Sequence, residues 1–199
     1  MKPIDGYDKA TSFDGSKFPT IPAGGYVCEI KFARADSTKP KNDGSGGGEP
    51  MLVLAIDVAE GPQKGFYEKR FAADKAQDPN AKWRGVYNQM LYWDGAVSGY
   101  FKGLMTAIER SNPGYHWDWN EAGLKGKKVG FVFREEEYPN AKGEVRTITK
   151  PAFPRDIETI RKGVEVPEIK RLKQAPASQQ PPAFSGGFTQ VPDDDPLPF

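Results

Sequence analysis

The chain has 199 residues, a length for one domain with a tail or for two small domains. Hydrophobic residues make up 37%, beside 22 Gly and 18 Pro, so part of the chain is expected to stay outside any packed core. Lys and Arg number 28 against 27 Asp and Glu; from Ala175 onward there are three acids and no basic side chain, which leaves a net +4 before that point. A weakly basic body with an acidic end does not by itself point to nucleic acid. The single cysteine, Cys28, excludes an intrachain disulfide and fits a reducing compartment. No apolar run approaches the roughly 20 residues that span a bilayer, and residues 1–16 lack the apolar centre of a signal peptide. The chain therefore reads as cytosolic, with no membrane partner.

Residues 1–17 read as a polar, turn-rich arm. Gly24-Gly25 then opens a strand in which Tyr26, Cys28, Ile30 and Phe32 alternate with Val27, Glu29, Lys31 and Ala33. Cys28 falls on the apolar face, so it reads as a buried, inert thiol. Residues 37–49 read as a long hairpin loop. No helix signal follows its Gly-rich run, which excludes a phosphate-cradling loop. A second strand covers 51–59, with Leu52, Leu54, Ile56 and Val58 on one face. The turn at 61–65 leads to an expected third strand over 66–72. The aromatic-rich stretch 73–97 carries an expected short helix from Arg84 to Tyr92. The clearest helix follows: Ser98 suits its cap, Phe101, Leu104, Met105 and Ile108 keep helical spacing, and Asn112-Pro113-Gly114 stops it. His116 is the only histidine and has no companion ligands, so no metal site is expected. Two more strands, 127–137 and 144–153, form a last hairpin. Val129, Phe131 and Phe133 are its core face, and Arg146, Ile148 and Lys150 share a face of the second strand. Residues 154–173 should wrap the body, with a helical turn near 156–161.

Five strands with one main helix between the third and fourth make an all-β, β-rich chain. That is the order of the five-stranded oligonucleotide/oligosaccharide-binding (OB) barrel, here placed over residues 18–173. Single strands are held by bases stacked on aromatic faces, worth roughly 1–3 kcal/mol each, and by Lys or Arg on phosphates. Basic and aromatic residues interleave here. The candidates for single-stranded-DNA contact are Lys31, Tyr67, Lys69, Arg70, Phe71, Lys82, Trp83, Arg84, Tyr87, Arg134, Tyr138, Arg146 and Lys150. Catalysis is not expected. The sole His116 and Cys28 lie in different contexts, and the one acidic run of the body, Glu135-Glu136-Glu137, sits at a strand end where acids are solvated. No cofactor is called for.

After Lys173 the composition shifts to Ala, Pro, Ser, Gln and Gly, which cannot bury enough surface to order itself. Residues 174–199 thus read as a flexible linker with a reach on the order of 25 Å, then the tip Asp193-Asp194-Asp195-Pro196-Leu197-Pro198-Phe199. A charged peptide with an apolar anchor suits a shallow pocket with a basic rim. This tip resembles the C-terminal tip of bacterial and phage single-stranded-DNA-binding proteins, a run of Asp followed by a short apolar segment closing on Pro-Phe. Asp193, Asp194, Asp195, Pro198 and Phe199 match; Pro196-Leu197 stands where the bacterial form has a single Ile. The body lacks the opening sequence of the usual bacterial protein, so the likeness is to the phage or prophage type. The resemblance implies an OB barrel that coats single-stranded DNA in replication, recombination and repair. It implies a location in the cytoplasm of a bacterial or phage-infected cell, and a tip that recruits replication or recombination proteins. A homo-oligomer stays open. The acids of the tip are also expected to compete with DNA for the basic groove. Two other readings remain at this point: an accessory protein that uses the barrel to bind protein, and a metal-dependent nuclease.

Overall fold

The computed structural model describes residues 20–39, 46–140 and 142–172. The expected arm at 1–17, the linker and the acidic tip lie outside the described residues. Strand β1 (Gly24–Ser37) is long and pairs on both edges, with β2 (Pro50–Val58) and with β6 (Lys128–Pro139). The alternation read from sequence holds as far as Ile30. A bulge between Ile30 and Phe32 then shifts the phase, so Ala33 is buried while Phe32, expected on the apolar face, turns to solvent. On β2, Leu52, Leu54, Ile56 and Val58 are all buried, as the period-2 pattern requires.

Two elements differ from expectation. The segment read as a third strand is helix α1 (Phe66–Gln77). Its residues Glu68, Lys69, Arg70, Ala72, Ala73, Lys75, Ala76 and Gln77 are helix formers, and Gly65 enters it in the left-handed conformation at φ 71°. The third strand is instead β3 (Val86–Met90), where a short helix was expected. Val86 and Asn88 face out while Tyr87 and Gln89 are buried, so the period there is two. A small hairpin follows, β4 (Tyr92–Trp93) and β5 (Ala96–Val97), turned by Asp94 and Gly95 at positive φ of 51° and 76°.

Helix α2 (Gly99–Ser111) begins as the sequence indicates: the Ser98 hydroxyl accepts from the Phe101 N–H at 3.4 Å. Phe101, Leu104, Met105 and Ile108 are buried. The final hairpin is β6 with β7 (Val145–Arg155), and α3 (Ile157–Lys162) follows, capped by Asp156. The Asp156 carboxylate accepts from the Thr159 N–H at 2.8 Å.

The main sheet is antiparallel and runs β3-β2-β1-β6-β7. Its inner face, with α2 packed against it, makes the large core around Ile30, Leu54, Ile56, Leu104, Phe131 and Phe133. A second cluster joins Val27 and Val132 on the outer face to Ile157 and Ile160 of α3. That helix sits so close that a side chain at Gly130 would meet Ile160 and the Arg155 carbonyl oxygen, the latter at 2.9 Å. Beyond the end of β1, the chain after α3 lies beside β6: the Glu137 N–H donates to the Lys170 carbonyl and the Lys170 N–H to the Glu135 carbonyl, both at 2.9 Å. The edge strands β3 and β7 are not paired with each other, and the sheet is open along that seam. No described helix is long and apolar enough to cross a membrane.

Candidate nucleic-acid interface

The open seam is a cleft. It has a volume of about 830 Å³ and lies between the outer end of β3, the first half of β7 and the start of α1. Val86, Phe66, Tyr67 and Ile21 supply its apolar walls. Arg70, Arg84, Arg146 and Lys150 supply four cations, and Thr147 and Thr149 lie between the last two. No acidic side chain of the described residues lines it. The elements explain the convergence. Helix α1 places Arg70 one turn after Phe66, the coil before β3 brings in Arg84, and the cross-strand pair Tyr138↔Arg146 stands at the far end of the β6–β7 hairpin.

Each cation has a carboxylate close to it. Arg84 Nε donates to Asp74 Oδ2 at 2.6 Å, and Arg70 lies 3.9 Å from the same oxygen. Asp74 is buried, so one carboxylate fixes two guanidiniums at the rim. Arg146 pairs with Glu144 at 2.8 Å, and Lys150 with Glu136 at 2.9 Å. Glu136 also accepts from Arg134 at 2.8 Å and lies 3.9 Å from Lys170. Its burial works against the charge, but the hydrogen bonds from Arg134 and Lys150 prevail and hold its carboxyl at about 2.

The structure thus brings six of the candidates into one place: Tyr67, Arg70, Arg84, Tyr138, Arg146 and Lys150. Their availability differs. Tyr138 is 41% exposed and offers a ring to solvent. Tyr67 and Tyr87, read as stacking residues, are corrected to core positions, 6% and 8% exposed. Tyr87 packs its ring 4.8 Å from Phe131 and donates its hydroxyl to Gln89 Oε1 at 2.9 Å, and burial pushes its pKa up to about 12. Burial raises the Tyr67 hydroxyl as well. The other candidates lie elsewhere. Trp83 is half-buried and its indole N–H is shared by the Ile56 and Gly85 carbonyls, both at 3.1 Å. Phe71 packs on Trp83 at 5.5 Å. Lys69 is exposed on α1 outside the cleft, and Lys82 lines a polar depression beside Trp83. Lys31 pairs with Glu29 at 3.2 Å, and Arg134 lies over the Phe153 ring at 5.2 Å.

Apart from Tyr138, sequence reasoning missed the rings that are exposed. Trp93 and Trp119 are each 70% open and Tyr100 is 67% open, with Tyr92 and Phe32 also exposed. The Asp94-Gly95 pair between Tyr92-Trp93 and Ala96-Val97 is the hairpin signal that would have found Tyr92 and Trp93. Trp119 is held at positive φ of 66° against Phe101 and Trp117, with ring centroids 6.1 Å from each.

No family model matches this chain, and no curated protein is significantly similar to it. The candidate site therefore stands on its own geometry. Among the described residues, no three His, Cys, Asp or Glu side chains are grouped as metal ligands.

Proposed function

We propose that this protein binds single-stranded DNA without catalysis, in the cleft between β3 and β7 and over the open outer face of β3, β2 and β1. The observation that carries the reading is the cleft itself. Residues from four separate stretches, Arg70, Arg84, Tyr138 and the Arg146–Lys150 run, meet there with no acid among the described lining residues. Phosphates would bind the four cations and a base would stack on Tyr138. On the adjoining face, Phe32, Ala55 and Val86 form one cross-strand row, a half-apolar surface suited to bases.

The strand order supports the same reading. Counting the five long strands in chain order gives 3-2-1-4-5, with α2 between the third and fourth. An OB barrel has that order, and its single-strand site lies on the face of strands two and three. Contacts to phosphate and to ring faces carry little sequence information, so binding would be largely indifferent to sequence. The segment Asp193–Phe199 would recruit replication or recombination proteins, as its resemblance implies.

The four tryptophans supply the test. Their fluorescence is followed while the full chain is titrated with oligo-dT and with duplex of equal length at several salt concentrations. Binding to the single strand that weakens as salt rises is the expected result. Replacing Arg146 and Lys150 by Ala should flatten the slope of log K against log salt by about 1.4, at roughly 0.7 per phosphate contact. No binding of wild type at low salt would overturn the reading.

A further inference from the structure

A second groove lies outside the cleft, between the exposed side of α2 and the end of β7, with a volume of about 540 Å³. Three cations line it: Lys102 and Arg110 from α2 and Arg155 from β7. Among the described residues, the only acid there is Asp156. Its Oδ1 accepts from the Thr159 N–H and its Oδ2 from the Thr159 hydroxyl, both at 2.8 Å, so it caps α3 while keeping its negative charge, which Arg110 also favours. Among the described residues, Lys102, Arg110 and Arg155 have no ion pair with any carboxylate. This differs from the cleft, where each cation lies within 4 Å of a carboxylate oxygen. Three cations against one carboxylate leave the groove net positive, which raises the local potential and attracts an anion. The exposed ring of Tyr100 lines the same groove.

The groove and the cleft adjoin along one strand. Residues 145–151 of β7 line the cleft and residues 153–156 line the groove. From Lys150 to Arg155 the strand advances about 17 Å, at roughly 3.4 Å per residue. A ligand with one charge per unit and a flat ring on each unit fits this run better than a compact anion. It would bind Arg146 and Lys150 first, then pass along the free edge of β7 to Arg155, Arg110 and Lys102.

We propose that a bound single strand leaves the cleft along β7 and continues into the α2 groove, with its phosphates on Lys102, Arg110 and Arg155 and a base on Tyr100. This rests on the single-strand reading of the cleft. The groove would set how many nucleotides one chain covers.

The experiment measures anisotropy with labelled oligo-dT of about 4 and about 16 nucleotides, the span of site sizes for one such barrel. The full chain is compared with the double variant Lys102→Ala, Arg110→Ala and, separately, with Tyr100→Ala. All three positions are on the outer side of α2, and melting curves check that the fold is kept. For the double variant, the short oligonucleotide should bind as to wild type. The long one should lose about tenfold or more, and its salt slope should flatten by about 1.4. Tyr100→Ala should weaken only the long oligonucleotide, by about fivefold or more. Long-oligonucleotide affinity and salt slope equal to wild type in the double variant would overturn the proposal and leave the cleft reading standing. So would loss in that variant of a peptide of residues 193–199 with the long oligonucleotide still bound, which would make the groove a protein-docking site. Failure of wild type to bind either oligonucleotide would remove the cleft reading as well.

Discussion

The buried carboxylate of Asp57, near the end of β2, accepts hydrogen bonds from the backbone N–H groups of Tyr67 at 2.9 Å and Glu68 at 3.3 Å. It also accepts from the Val58 N–H at 2.8 Å. The first turn of α1 has no partners of its own for these donors, and no side chain at its start supplies one. A residue ten positions earlier does so from the sheet. The contact fixes where α1 begins, and with it Phe66, Tyr67 and Arg70, which line the cleft. Burial, and then the nearby Asp57, push the Cys28 thiol above its ordinary pKa, consistent with the inert thiol read from sequence.

Asp57→Ala leaves buried N–H groups without acceptors. It should destabilise the fold by about 2–4 kcal/mol, combining a lost cap with unsatisfied donors. Asp57→Asn keeps one acceptor oxygen and should cost less. Urea unfolding of both variants checks the order, and equal stability of Asp57→Ala and wild type would contradict the role given to the carboxylate.

The two tyrosines at the seam should separate binding from folding. Tyr138→Ala should leave the melting temperature near wild type and weaken oligo-dT by about 1–3 kcal/mol. Tyr87→Ala removes a core ring packed on Phe131 and should cost the fold about 3 kcal/mol or more. A Tyr138→Ala variant that binds as wild type would remove this ring from the interface.

Glu136 predicts an acid-sensitive hairpin. Its folded value of about 2 lies below the ordinary carboxylate value of about 4.3. The stabilisation is therefore complete above about pH 4.5 and is lost as pH falls through 2. Glu136→Gln should be less stable than wild type by about 1–2 kcal/mol at pH 7. The difference should close towards pH 2, as read from thermal melts across that range.

If the three aspartates of residues 193–199 compete with phosphates for the same cations, removing them should tighten oligo-dT binding at low salt. The gain should shrink near 0.15 M salt, where charges are screened over about 8 Å. Equal affinity of the shortened and full chains at low salt would contradict that competition.

The sequence by itself determined the elements whose signal is local. Strand β2 follows from strict alternation, α2 from Ser98 and the spacing Phe101–Leu104–Met105–Ile108, and the β6–β7 hairpin from Val129, Phe131 and Phe133. In each, one buried face imposes its period on the chain. The tertiary structure decided what depended on distant partners. The 66–77 stretch is a helix with its first turn capped from β2 by Asp57, and Val86–Met90 became a strand because β2 offered an open edge from Met51 to Ala55. The bulge after Ile30 turned Phe32 outward. Most of all, the composition of the cleft was decided in three dimensions. Basic and aromatic residues look alike along the chain, and only packing separates Tyr138, offered to solvent, from Tyr87, sealed against Phe131. Local periodicity sets which face of an element is apolar. Which polar residues of different elements face one another is set by how the elements close on a common core.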